Sequence, residues 1–184
     1  GAENIPAGPA MIMCKHQSAW ETIALQVIFP PQVWVLKREL LKLPFFGWAI
    51  STLSPIAIDR GNRAAAQKLL MEQGRDRVAK GFWIVIFPEG TRVPAGDRGH
   101  YKGGGARLAS DVGVPIVPVA HNAGEFWPRN SFLKWPGEVS VVIGQPVETA
   151  GRSSHEIMVE VEAAIEGAMA KIEGQGSCYP KHRG

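Results

Sequence analysis

Short apolar runs alternate with helix-like stretches along most of this chain. Residues 10–15, 33–36, 56–58, 83–87, 116–120 and 139–143 have the length and apolar character of buried strands, and "WIVIF" at 83–87 is the most uniform of them. Residues 19–29 read as a helix stopped by Pro30 and Pro31, and residues 39–43 and 45–53 as two short helices. Residues 62–80, rich in Ala, Gln, Lys, Leu and Met, predict a longer helix that stops at Gly81. Residues 106–111 predict a short helix capped by Gly113. Residues 153–172 predict a last helix, with Ser153 and Glu156 as a capping box. Residues 93–105 ("VPAGDRGHYKGGG") read as loop. Strands alternating with helices predict an α/β fold with a largely parallel central sheet flanked by helices.

In such sheets, chemistry gathers beyond the carboxyl ends of the strands. The segments there read "KHQSAWE", "KREL", "DRGNR", "PEGTR" and "HNAGE". In the first, His16 ends a strand and Glu21 follows at the start of a helix. Glu21 has two readings. With Ser18 as N-cap it is the N3 residue of a capping box. Alternatively, its carboxylate on one nitrogen of His16 fixes the tautomer and raises the basicity of the other, which makes a general base. The spacing alone does not separate them. The chain holds a second pair at this spacing, His155 and Glu160, inside the last helix, where the two side chains are about 140° apart.

Composition narrows the picture only a little. The 184 residues are 45% hydrophobic, enough for one domain, 1–184, with a sizeable core. Twenty Lys and Arg against 17 Asp and Glu leave a net charge of +3, which does not imply nucleic acid and is compatible with anionic lipid or phosphorylated substrates. Cys14 and Cys178 are too few and too far apart for a disulfide or metal framework. No apolar run reaches the ~18 residues of a spanning helix. The chain opens on Gly1 and soon enters a core strand, so we expect a membrane anchor to precede it in the natural protein.

"FPEGTR", Phe87–Arg92, decides more. Gly90 permits a tight turn, Arg92 offers a planar fork for phosphate oxygens, and Glu89 is placed to orient that Arg or hold a substrate hydroxyl. Together, "HQSAWE" and "FPEGTR" resemble the glycerolipid acyltransferase family, in particular its bacterial lysophosphatidic acid (1-acyl-sn-glycerol-3-phosphate) acyltransferases. The family's blocks fall in order over roughly residues 10–150. His16 to Glu21 matches His-x4-Asp, and Ile58-Asp59-Arg60 matches the end of the second block. Phe87–Arg92 is an unbroken third block, and residues 114–119 match a Val-Pro-Ile-Val-Pro-Val strand. Two positions depart: Glu21 stands where the family has Asp, and Ser54-Pro55 precede the second block where Gly is common.

The resemblance implies transfer of a fatty acyl group from acyl-CoA or acyl-carrier protein to the sn-2 hydroxyl of lysophosphatidic acid. His16 is the implied base, Glu21 its orienter, and no acyl-enzyme forms. Arg60 and Arg92 would hold the phosphate, with Lys37 and Lys102 in reserve. Glu89, Gly90 and Thr91 would shape the acceptor pocket. No metal or cofactor is implied. The partners are the lysolipid, the acyl donor and a membrane surface, on the cytoplasmic face of the inner membrane. The uncharged stretch 43–58 is either core, an apolar slot or a lipid-facing surface. Trp127 and Trp135, near Arg129 and Lys134, either sit at a bilayer interface or pack on the sheet. Three rivals stand beside this reading. Cys14 and His16 at i and i+2 suggest a thioesterase-type hydrolase. The Glu-for-Asp change suggests a lipid-binding module without turnover. The same chemistry also fits glycerol-3-phosphate or another lysolipid as acceptor.

Overall fold

The computed structural model describes residues 1–59 and 61–180. Six strands form one sheet: β1 (Met11–Cys14), β2 (Gln32–Lys37), β3 (Ile56–Ile58), β4 (Trp83–Ile86), β5 (Ile116–His121) and β6 (Val141–Ile143). Their spatial order is β3-β2-β4-β1-β5-β6. All neighbours run parallel except β5 and β6, which are antiparallel. Five helices complete the fold: α1 (Trp20–Ile28), α2 (Phe46–Ser51), α3 (Arg63–Ala79), α4 (Gly104–Val112) and α5 (Ser154–Ile172).

The side-chain alternation of the strands sorts the core into two layers. Met11 and Met13 of β1 face one side with Ile84, Ile86 and Ile116, against Leu70 of α3, Leu108 of α4 and Ile157 and Ile165 of α5. Ile12 and Cys14 face the other side with Val85, Val117 and Trp83, against Leu25 and Phe29 of α1. Both faces of β1 and β4 are buried, which is why these strands carry no polar alternation. Truncating Ile84, which is fully buried, to Ala would cost about 2–5 kcal/mol.

The helix ends follow local chemistry. Ser153 and Glu156 form the reciprocal capping box of α5, and Gly113 closes α4 in the left-handed region at φ 70°. Two expectations shift. Residues 39–43 are not an α-helix: a 3-10 segment spans Arg38–Lys42 instead. Helix α4 starts at Gly104, two residues early: Gly104 lies against Gln67 and Leu70 of α3, and Gly105 against the sheet. A Cβ on Gly105 would stand 2.7 Å from Met13 Cε, so packing overrides the low helix propensity of glycine. Of the uncharged stretch 43–58, which the sequence left open between core and surface, Ile56 is buried in the core while Leu43, Phe45, Trp48 and Leu53 are exposed.

Candidate active site

Strands β1 and β4 are parallel neighbours, with Met13 opposite Ile86. Three residues further on, the register brings His16 beside Glu89. The His16 ring stacks on Phe87 with centroids 3.8 Å apart and planes 12° apart. Its main-chain N–H faces Glu89 Oε1 at 3.5 Å, and its carbonyl accepts from Val93 N at 2.7 Å. The loop after "FPEGTR" thus folds back and pins the histidine.

Glu21 reaches His16 directly. Oε1 lies 2.7 Å from His16 Nδ1. The same carboxylate accepts the main-chain N–H groups of Gln17 (3.2 Å) and Ser18 (3.0 Å). Nδ1–H donating to a carboxylate leaves the basic lone pair on Nε2, the state suited to a general base. Burial alone would push the Glu21 carboxyl up. The His16 hydrogen bond and the neighbouring imidazoles outweigh burial and hold it below the ordinary carboxylate value.

The expected capping box at Ser18 is only half present. α1 begins at Trp20 with Ala19 as N-cap and no side-chain cap bond. Ser18 Oγ does not bind Glu21 N; it donates to the Trp127 carbonyl at 2.7 Å and accepts from Trp20 N at 3.1 Å. The loop around Trp127 competes for that hydroxyl, and the longer Glu arm bends back to the two N–H groups before the helix. Cap and orienter are therefore one carboxylate.

Sequence reasoning passed over two neighbours. His121, at the end of β5, is fully buried with Nε2 3.8 Å from Glu21 Oε2. It accepts from Ala123 N at Nδ1 (3.2 Å) and donates from Nε2 to the Lys15 carbonyl (2.9 Å), the neutral tautomer that burial favours by lowering its pKa. Lys15 is buried next to His16 and Glu89. Lys15 was legible as a cation closing an apolar strand, as Lys37 is, and His121 as part of "HNAGE".

Two cavities open at this end of the sheet, with Phe87 and Val35 lining both. The first, about 620 Å³, is apolar: Ile23 and Val27 of α1, Trp34 and Leu36 of β2, and Ala49, Ile50 and Leu53 around α2, with His16, Arg92 and Lys37 in its lining. The second, about 610 Å³, is cationic, lined by Arg63, His100, Lys102 and Arg107 and by Gly103–Gly105 at the start of α4. Both volumes lie in the range of small-molecule sites, about 300–1,000 Å³.

The expected phosphate ligands do not all meet. Arg92, whose buried Nε has no hydrogen-bond partner within the protein, lines the apolar cavity. Lys102 lies in the cationic one, against Gly90: with φ at +70°, a Cβ there would stand 2.6 Å from Lys102 Nζ, so only glycine fits the turn. Lys37 pairs with Glu39 at 3.2 Å. Thr91 is exposed and lines neither cavity. Arg60 lies outside the described residues. Glu89 is buried, its Oε2 without a hydrogen-bond partner within the protein, and burial first of all pushes its carboxyl up to about 7. Cys14 sits in the core below α1, where burial raises its thiol well above the ordinary value. That environment opposes the thiolate a hydrolase would need. Trp127 is half-buried with Lys134 4.2 Å over its ring, while Trp135 is 47% exposed; of the two, only Trp135 keeps its expected exposure. Arg129 donates to the Arg92 carbonyl at 2.9 Å. Among the described residues, no helix is long and apolar enough to cross a membrane.

The chain is similar in sequence and fold to known proteins. A 1-acyl-sn-glycerol-3-phosphate acyltransferase of Pseudomonas aeruginosa is 48% identical over 175 residues, covering 94% of this chain and 68% of its own. The human beta enzyme of the same name is 29% identical over 158 residues, 85% of this chain and 57% of its own. The crystal structure of the 1-acyl-sn-glycerophosphate (LPA) acyltransferase of Thermotoga maritima superposes with a TM-score of 0.78 at 28% identity, covering 93% of this chain and 69% of that one. The family model described as Acyltransferase matches residues 1–122, so this chain belongs to that family.

Proposed function

We propose that the protein is a 1-acyl-sn-glycerol-3-phosphate acyltransferase that moves a fatty acyl group from acyl-CoA or acyl-carrier protein to the sn-2 hydroxyl of lysophosphatidic acid, giving phosphatidic acid. The observation that carries this is the His16–Glu21 contact of 2.7 Å at the lining of an apolar cavity, beside a cationic one. His16 Nε2 takes the hydroxyl proton while the oxygen attacks the thioester carbonyl. The C–O bond forms, the C–S bond breaks, and the imidazolium returns its proton to the leaving thiolate. Glu21 orients the ring and stabilises the imidazolium. No acyl-enzyme is needed.

The apolar cavity suits an acyl chain, and its exposed rim of Ile23, Val27 and Leu53 suits a lipid surface. The cationic cavity suits the phosphate: Lys102 sits over Gly90, and the amino end of α4 adds its dipole. Arg92 offers a partnerless Nε at the His16 side. Arg60 is retained as a phosphate ligand on the family motif alone. The protein works at a membrane surface, on the cytoplasmic face of the inner membrane.

Thiol release from palmitoyl-CoA, with lysophosphatidic acid, glycerol-3-phosphate or no acceptor, tests this reading. Release that needs lysophosphatidic acid and disappears in His16→Ala is expected. Release without acceptor would mean a hydrolase. Full activity in His16→Ala would sink the mechanism.

A further inference from the structure

Behind the His16–Glu21 pair lies a cation that the acyl-transfer steps do not use. Lys15 is 1% exposed. Its Nζ donates to Glu166 Oε1 at 2.8 Å and to the Asp97 carbonyl at 3.2 Å, and stands 3.6 Å from Glu89 Oε1. Tyr101 Oη donates to the same Glu166 oxygen at 2.7 Å. These groups converge from the end of β1, the turn after β4, the loop before α4, and α5. Burying an ammonium costs several kcal/mol unless it is paired, and an apolar side chain would fill the space at no such cost. Resting on the acyltransferase reading, we propose that Lys15 is a positioning residue. Moored to α5 through Glu166, its ammonium holds the Glu89 carboxylate against the His16 main chain and so sets the angle at which the imidazole meets the substrate hydroxyl.

Contacts on its other sides hold the rest of His16. The His16 ring is fixed by Glu21 and Phe87, and its carbonyl by Val93 N. Its N–H faces Glu89. The Lys15 main chain is itself immobile: its N–H donates to Val119 O at 2.9 Å, and its carbonyl accepts from His121 Nε2. The charge count adds a titration. One ammonium serves two carboxylates, and the buried Glu89 takes up a proton near neutrality. Glu89 does so first through burial; Lys15 works against the rise and Glu166 adds to it. The titratable and charged groups facing Glu89 are Cys14, Lys15 and the His16 N–H from β1 and its end, Glu166 from α5, and Tyr101 from the loop before α4. Ionised Glu89 is the form that grips the His16 N–H.

The test is the pH dependence of kcat/KM for thiol release from palmitoyl-CoA with lysophosphatidic acid, in wild type, Lys15→Met and Glu166→Gln, beside thermal unfolding. Lys15→Met should lower kcat about 10- to 100-fold, as misplaced catalytic groups do. It should also move the acid limb to higher pH, because Glu89 loses its cation. Glu166→Gln should move that limb to lower pH, because the competing carboxylate is gone. Shifts of opposite sign are not a general consequence of loosened packing. A folded Lys15→Met with wild-type kcat and acid limb, or a Glu166→Gln limb that stays put or moves up, would overturn the proposal. Should Lys15→Met not fold, the Glu166→Gln limb decides alone, since Glu166 is 20% exposed and its amide keeps the shape. Wild-type turnover lost in His16→Ala, with both variants unchanged, sinks this inference alone; no wild-type turnover sinks the acyltransferase reading with it.

Discussion

At the residue scale, the site turns on two buried carboxylates displaced in opposite directions. Glu21 is held low by His16 despite its burial, and Glu89 is raised to about 7 chiefly by burial. The signs of their linkage to stability differ accordingly. The stability due to Glu21 is present above the ordinary carboxylate value and is lost as pH falls through its depressed folded value. Glu89 binds its proton more tightly folded than unfolded, so its contribution declines as pH rises from about 4.5 to about 7. Two predictions follow from this contrast. Glu21→Gln keeps an oxygen for the Gln17 and Ser18 N–H groups but removes the charge. Its kcat should fall about 10²- to 10⁴-fold, far beyond the modest fall in melting temperature that loss of the charge brings; a loss of stability with no separate loss of kcat in the folded variant would make Glu21 a cap and nothing more. Glu89→Gln should raise the melting temperature relative to wild type more at pH 8 than at pH 5. An equal difference at both values would show that Glu89 carries no buried charge at pH 8.

At the element scale, β1 and β4 bring the motifs together and the short segments around α2 shape the slot. Ile50 and Leu53 line the apolar cavity opposite Ile23 and Val27 of α1. Ile50→Trp should fill part of that space and shift donor preference from palmitoyl-CoA toward shorter acyl-CoAs. An unchanged chain-length profile would remove the cavity from the acyl path. Far from the site, the capping box of α5 supports the helix that carries Glu166. Ser153→Ala should cost about 1 kcal/mol, a fall of roughly 2–4 °C in melting temperature for a chain of this size. Legibility also divides here. The strands and α3 were readable because their apolar runs and capping signals are local. The start of α4 was not, because its glycines pack against distant residues, Gly104 on Gln67 and Leu70 of α3 and Gly105 on Met13 and Ile86 of the sheet.

At the scale of the molecule, an apolar and a cationic cavity sit side by side across Phe87, the division an amphipathic substrate requires. Exposed apolar residues surround the first: Ile23, Val27 and Leu53 on its rim, with Trp48 on α2 and Phe45 at its N-cap. The loop bearing Phe132, Leu133 and Trp135 is exposed too, and it is tied to the site by the Ser18–Trp127 and Arg129–Arg92 bonds. Phe132→Ser with Leu133→Ser should reduce co-sedimentation with anionic vesicles several-fold without lowering the melting temperature, since both side chains are exposed. Unchanged sedimentation would take this loop off the membrane surface. The sequence left 43–58 and the tryptophan loop open between core and surface, because apolar composition alone does not say which side of a helix another element covers.

The sequence by itself determined the α/β class and the order of the strands along the chain, and it supplied the residues proposed for the reaction. The first two follow from local periodicity and caps, the last from resemblance to a family motif. Only the tertiary structure decided which groups touch. His16 and Glu89 are 73 positions apart and meet through the β1–β4 register. Lys15 and Glu166, 151 positions apart, meet through packing of α5 on the sheet. The half-formed cap at Glu21 likewise depends on Trp127, whose carbonyl takes the Ser18 hydroxyl across 109 positions. Spacing along a chain constrains neighbours within a turn or two; contacts across a sheet depend on register and layer order, which are set by burial of the whole core.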